Sequence, residues 1–156
     1  MATNLSSANK HAVDAMVSRA RAAMDSVRSL SQEEVDRLCQ AVGWATANET
    51  TFTRLAQMSV DESGLGDREG RPAKRFKIMG VLRDALRQRS IGVIEEIPER
   101  GIVKYGKPAG VIASLVPMTN PVLTPPGTAI NAIKARDAVI FSPHPASRRT
   151  TSEVIR

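Results

Sequence analysis

The run Ala109-Gly110-Val111-Ile112-Ala113-Ser114-Leu115-Val116, closed by Pro117, constrains the fold more than any other stretch of the chain. A continuous series of apolar and small residues suits a strand buried on both faces of a parallel sheet, because a strand with one wet face would alternate. Ala138-Val139-Ile140-Phe141 is a second run of the same kind. The segment between them, from about Val122 to Ala135, can form a crossover helix if Pro125 and Pro126 fall at its start. Ser147 or Thr150 can cap a further helix running toward Arg156. Strand, helix, strand, helix is the grammar of a doubly wound sheet. The expected fold class is therefore α/β, with residues 108–156 as the first, incomplete part of such a domain, since two parallel strands cannot cover themselves.

The residues upstream read differently. From Ser7 to Val27 the positions Ala12, Val13, Met16, Val17, Ala20, Ala23, Met24 and Val27 recur at three- and four-residue spacing, one stripe of an amphipathic helix. Ser31 and Glu34 form an S-x-x-E capping box opening a second helix whose apolar face runs through Val35, Leu38, Val42 and Ala45. A third helix spans about Glu49 to Glu62 and stops at Gly64 and Gly66. Pro72 can begin a fourth, carrying Phe76, Ile78, Met79, Leu82 and Leu86. Ile91 to Ile97 and Gly101 to Tyr105, separated by Pro98-Glu99-Arg100, suggest a β-hairpin. The expected organisation is a helical segment over 1–90, a hairpin over 91–107 and the α/β segment over 108–156.

Only 3% of the 156 residues are aromatic, so Ala, Val, Ile, Leu and Met must build the core, with Met16, Met24, Met58 and Met79 as filler. The single cysteine, Cys39, excludes an internal disulfide framework and a cysteine zinc cluster; it lies on the buried-leaning face of the second helix and reads as a core residue. Neither a signal-peptide core nor a run of about 20 apolar residues is present, which points to a soluble cytoplasmic protein without a membrane partner. The net charge of +6 is spread along helices with acidic residues between, and few aromatics are available to stack on bases, so a nucleic-acid partner is disfavoured.

In open parallel sheets ligands bind beyond the carboxyl ends of the strands. Those ends are Pro117-Met118-Thr119-Asn120-Pro121 and Ser142-Pro143-His144-Pro145, both bracketed by proline. No G-x-G-x-x-G follows the first strand, so the usual dinucleotide fingerprint is missing. The segments KPAGVIASLVPMTNP and AIKARDAVIFSPHP nevertheless resemble the start of the cofactor domain in the aldehyde dehydrogenase superfamily. T-N-P after one strand with S-P-H-P after the next is most similar to the acylating, CoA-dependent branch, and the resemblance extends upstream through Asp61-Glu62-Ser63-Gly64-Leu65-Gly66.

The resemblance implies an oxidoreductase that converts a small aldehyde to its acyl-CoA with NAD(P) through a cysteine thioester. Acetaldehyde, succinate semialdehyde and sulfoacetaldehyde are the substrates it brings, with a lean toward sulfoacetaldehyde. It implies that Pro117, Met118, Thr119, Asn120, Ser142, Pro143 and His144 line the cofactor, that Thr119 or Asn120 contacts the substrate oxyanion, and that the full enzyme is a homo-oligomer. Hydrolytic members have W-N-F where this chain has Met118-Thr119-Asn120, which leaves open which of the two polar residues faces the substrate. They carry Lys-Pro where this chain has Ser142-Pro143, and losing that Lys fits the acylating branch. The nucleophilic cysteine, the pyrophosphate-binding glycines and the later carboxylate are expected beyond Arg156, leaving these residues inactive alone. A non-catalytic binding or interaction module built on the same fold is the alternative, and a basic nucleic-acid-binding domain a more distant one.

Overall fold

The computed structural model describes residues 7–156, so the first six residues of the stretch in which no leader was read lie outside it. Four helices come first: α1 (Ser7–Val27), α2 (Gln32–Ala47), α3 (Glu49–Ser63) and α4 (Arg75–Leu86). The strands β1 (Gly92–Ile97) and β2 (Ile102–Gly106) follow, then β3 (Val111–Val116), α5 (Thr124–Ala135), β4 (Ala138–Pro143) and α6 (Arg148–Ile155).

Local chemistry sets most of these boundaries. The Ser31 hydroxyl accepts from Glu34 N at 3.3 Å while the Glu34 carboxylate accepts from Ser31 N at 2.8 Å, so the expected capping box opens α2. Asn48 then ends one helix and starts the next. Its backbone N–H donates to Trp44 O at 3.2 Å, and its side-chain oxygen accepts from Thr51 N at 2.9 Å. Gly64, at φ +68°, closes α3 in the left-handed conformation that glycine adopts without a Cβ penalty. Pro72 opens a short 3₁₀ turn, Arg71–Lys74, rather than α4 itself, which begins at Arg75. Pro125 and Pro126 sit in the first turn of α5, where a missing N–H leaves no bond unmade.

One apolar core joins the helices to the α/β segment. Val35 and Cys39 of α2, Phe52, Leu55 and Ala56 of α3, Ile78 of α4 and Ile130 of α5 are all buried in it. A polar seam runs beside it. Lys134, buried on α5, pairs with Asp36 of α2. Ser90 donates its hydroxyl to Lys134 O at 2.6 Å, and the Gln32 side-chain oxygen accepts from Ser90 N at 2.9 Å and Ile91 N at 3.2 Å. These bonds fix the direction in which the chain leaves α4 for the hairpin.

The strands form two separate pairs, β1–β2 antiparallel and β3–β4 parallel. In the parallel pair Val111 lies opposite Ala138 and Val116 opposite Pro143, with α5 as the crossover. Ser114 and Val116 are buried, whereas Ala113 and Leu115 are exposed, Leu115 at 81%. The expectation of a strand buried on both faces therefore fails at its carboxyl half. α1 runs beside the half-buried Val111 and Ile140 but leaves Ala113 and Leu115, further along that face, uncovered. Two more expectations change: Phe76 and Met79 face outward from α4 at 60% and 48%, so Met79 is not core filler, and the Arg75 guanidinium stacks 4.5 Å from the Phe76 ring centre.

Candidate functional site

Parallel pairing puts the carboxyl ends of β3 and β4 side by side, so the two proline-bracketed loops start from one edge. His144 N donates to Val116 O at 3.0 Å, which carries the strand pairing one step into both loops. From there the first loop folds as a tight turn, with Asn120 N donating to Pro117 O at 3.3 Å. Asn120 O then accepts from Leu123 N and Thr124 N at 3.3 and 3.1 Å, leading the chain into α5. Pro121 and Val122 are buried beneath the turn, while Met118 and Asn120 are half-buried and Thr119 is exposed.

Asn120 donates its amide to the Thr119 hydroxyl at 3.4 Å, so the two polar side chains of the turn share one surface. Of the two, only the amide keeps a second N–H to offer. Across the edge Ser142 is exposed and Pro143 half-buried. The exposed His144 uses Nδ1 to accept from Ala146 N at 3.1 Å, and its Nε2 has no partner among the described residues. The structure thus brings the first-loop and second-loop residues singled out from the sequence to a common end of the parallel pair.

The N-terminus of α6 also reaches this end. Ser147 holds the N-cap position, but its buried hydroxyl makes no capping bond and has no partner among the described residues; nor does Thr150 cap the helix as expected. Glu62 of α3 does this work instead. Its carboxylate accepts from Arg149 N and Thr150 N, each at 2.7 Å, and from the Thr150 hydroxyl at 2.6 Å. Burial alone would raise the Glu62 pKa, but the hydrogen bonds from Thr150 and Arg149 and the Arg149 charge outweigh it and hold the carboxyl below its ordinary value. A helix start that commonly receives a ligand phosphate is here filled by the protein's own anion.

Cys39 behaves as a core residue. It is fully buried, its thiol donates to Ile130 O at 3.4 Å, and burial pushes its pKa up to about 11, so almost no thiolate exists at neutral pH. Two residues that sequence reasoning did not assign to the site hold it in place. Glu62 falls within the segment Asp61–Gly66 that carries the resemblance, with no local mark of its role. Arg71 carries no sequence signal, since nothing near it marks a partner 48 residues away.

The aldehyde dehydrogenase family model matches residues 1–156. The chain is 39% identical over 140 residues to a sulfoacetaldehyde dehydrogenase of Acholeplasma sp, covering 89% of this chain and 29% of that protein. It is 39% identical over 137 residues to the acylating sulfoacetaldehyde dehydrogenase of Bilophila wadsworthia, covering 87% and 30%. Among solved structures, an acetylating aldehyde dehydrogenase from Geobacillus thermoglucosidasius superposes with a TM-score of 0.83 at 30% identity, covering 92% of this chain and 32% of that one. The chain thus spans about a third of the length of the proteins it matches.

Proposed function

The chain belongs to the aldehyde dehydrogenase family, and from that premise we propose that it forms the N-terminal part of an acylating enzyme that oxidises a small aldehyde to its acyl-CoA. The observation that carries this reading is the shared edge: Thr119 and Asn120 on one loop and Ser142, Pro143 and His144 on the next, brought together by the parallel pair in a family member. Sulfoacetaldehyde is the substrate favoured, because relatives bearing that name match most of the chain.

In this reading Asn120 directs its second amide N–H at the aldehyde oxygen. A thiolate adding to the carbonyl leaves negative charge on that oxygen, and a fixed donor stabilises it. Thr119 orients the amide by accepting its other N–H. The thiolate comes from outside these residues, since Cys39 is buried and protonated. NAD(P) would supply the hydride acceptor. Ser142, Pro143 and His144 would lie along its adenosine end, where the exposed Ser142 and the His144 Nε2, unpartnered among the described residues, fit a ribose, and Pro117 and Met118 would line the cofactor from the first loop. With α6 already capped by Glu62, the pyrophosphate would be bound elsewhere.

The division into 1–90, 91–107 and 108–156 belongs to the same proposal, as a helical segment, a hairpin and the start of the cofactor domain. So does a homo-oligomeric enzyme, supported by the outward-facing Ile94, Ile102, Val103 and Tyr105 of the hairpin. Among the described residues no helix is long and apolar enough to cross a membrane.

The test is a product assay on the enzyme that carries this chain. Sulfoacetaldehyde should be oxidised only with CoA present, giving acyl-CoA and reduced cofactor in equal amounts, and Cys39→Ser should keep that activity. Release of the free acid without CoA, or loss of activity in Cys39→Ser with folding intact, would overturn the reading.

A further inference from the structure

Arg71 is buried, and among the described residues no carboxylate lies within ion-pair distance of it. Its guanidinium donates instead to two backbone carbonyls, Leu65 O through Nη1 and Thr119 O through Nη2. Leu65 stands in the loop that follows α3, and Thr119 in the turn that follows β3. A planar fork with fixed donors is well suited to bridging two carbonyls on different segments. The approach also needs Gly66: it sits at φ +93°, and a Cβ there would meet Arg71 Nη1 at 2.4 Å. Glycine and arginine form one device.

The consequence falls on a single peptide group. Between Thr119 and Asn120 the carbonyl is held by Arg71, and the N–H on its opposite side donates to Pro117 O at 3.3 Å. With both polar ends bonded the plane cannot flip, and the bonds flanking the Thr119 and Asn120 side chains are fixed. Pro121, buried directly after Asn120, removes one more freedom.

We propose that Arg71, with Gly66, is a positioning residue that locks the Thr119–Asn120 peptide and thereby aims the Asn120 amide at the reacting aldehyde. This rests on the reading of Asn120 given above. It adds a residue 48 positions upstream that touches neither substrate nor cofactor. An ammonium can donate to two carbonyls less rigidly, whereas an apolar side chain of similar length can donate to neither.

The experiment compares Arg71→Lys, Arg71→Met, Asn120→Ala and the double variant Arg71→Met/Asn120→Ala in the enzyme that carries this chain. Removal of an oxyanion donor costs about 100-fold or more in kcat, and Arg71→Met should lose roughly 10- to 100-fold because the donor remains but is misaimed. KM for the cofactor should stay within about threefold, and Arg71→Lys should recover most of kcat. The double variant should be no slower than Asn120→Ala alone, because residues that act as a unit are not additive. Losses that multiply, or an Arg71→Met kcat within twofold of the parent, would overturn the proposal.

Amide hydrogen exchange gives an answer that does not need activity. The Asn120 N–H should exchange at least tenfold faster in Arg71→Met, while amides in the middle of α2 keep their protection. Unchanged Asn120 exchange refutes the lock whatever the kinetics show. A parent enzyme without CoA-dependent hydride transfer, but with Asn120 released in Arg71→Met, refutes the catalytic aim and the proposed function while leaving the lock itself measured.

Discussion

The two strand pairs in this chain are of similar size, yet one is embedded and the other stands apart. β3 and β4 are flanked by α1 on one face and α5 on the other, and Ser114, Val116 and Asp137 at or beside them are buried. β1 and β2 lean chiefly on each other. Ile94, Ile102, Val103 and Tyr105 are exposed, and a bulge between Val93 and Glu95 interrupts their register. A lone two-stranded hairpin is marginal in water. The difference is one of anchoring: at the end of the embedded pair Arg71 holds Thr119 O and Val116 O accepts from His144 N, and this is why we propose that end, and not the hairpin, as the ligand site.

The largest effect expected from breaking the embedded side is at Ile130 of α5, which is fully buried in the core that also holds Val35 and Cys39 of α2 and Ile78 of α4. Ile130→Ala should cost about 3 to 4 kcal/mol, read as a lower denaturant midpoint. Trp44 on α2 and Tyr105 on β2 are the chain's only Trp and Tyr, both with exposed side chains, so their emission follows the unfolding of the elements that carry them and not the packing of the core itself. A cost below about 1 kcal/mol would mean the two layers do not share a core.

Next comes the seam. Asp36→Ala leaves the buried Lys134 ammonium without its partner and should cost about 2 to 3 kcal/mol, below the full range for a buried pair because the Asp36 carboxylate is partly exposed. Asp36→Asn, which retains an acceptor, should cost clearly less.

A smaller effect is expected at Glu62, and it depends on pH. The folded pKa of Glu62 is lowered, so its stabilising contribution is fully present above the unfolded value of 4.5 and is lost as the pH falls through the folded one. Glu62→Gln should lower stability by about 1 kcal/mol at pH 7, and the gap from the parent should close in acid. A gap that stays constant from neutral to acid pH would show that the charge at the α6 start contributes nothing.

The smallest effect sharpens the contrast. Val103→Thr on the exposed hairpin should shift the Trp44 transition by no more than about 0.5 kcal/mol. Hairpin amides should exchange faster than those of β3 and β4. Equal protection would mean that the hairpin is held by something other than its own pairing.

Much of this was legible in the sequence wherever the causes are local. The Ser31–Glu34 box, the Gly64 stop and the proline-started α5 rest on groups within four residues of one another. The strand-end loops could be placed because a parallel pair fixes where its ends fall. Exposure was harder to read. The apolar run containing Leu115 and the stripe containing Phe76 and Met79 state what a side chain prefers, and not which element arrives to cover it. Long-range polar locks were invisible. Glu62 and Arg71 look like ordinary surface charges until the fold brings Thr150, 88 residues on, and Thr119, 48 residues on, to meet them.

The claim that the embedded pair, and not the hairpin, holds the cofactor is tested most directly by photolabelling the enzyme that carries this chain with 8-azido-adenine NAD and mapping the labelled peptides. Label within this chain is expected on the peptide containing Ser142, Pro143 and His144, and excess NAD should remove it. Label concentrated on Gly92–Gly106, or none on the β4 end while the cofactor is bound, would contradict it.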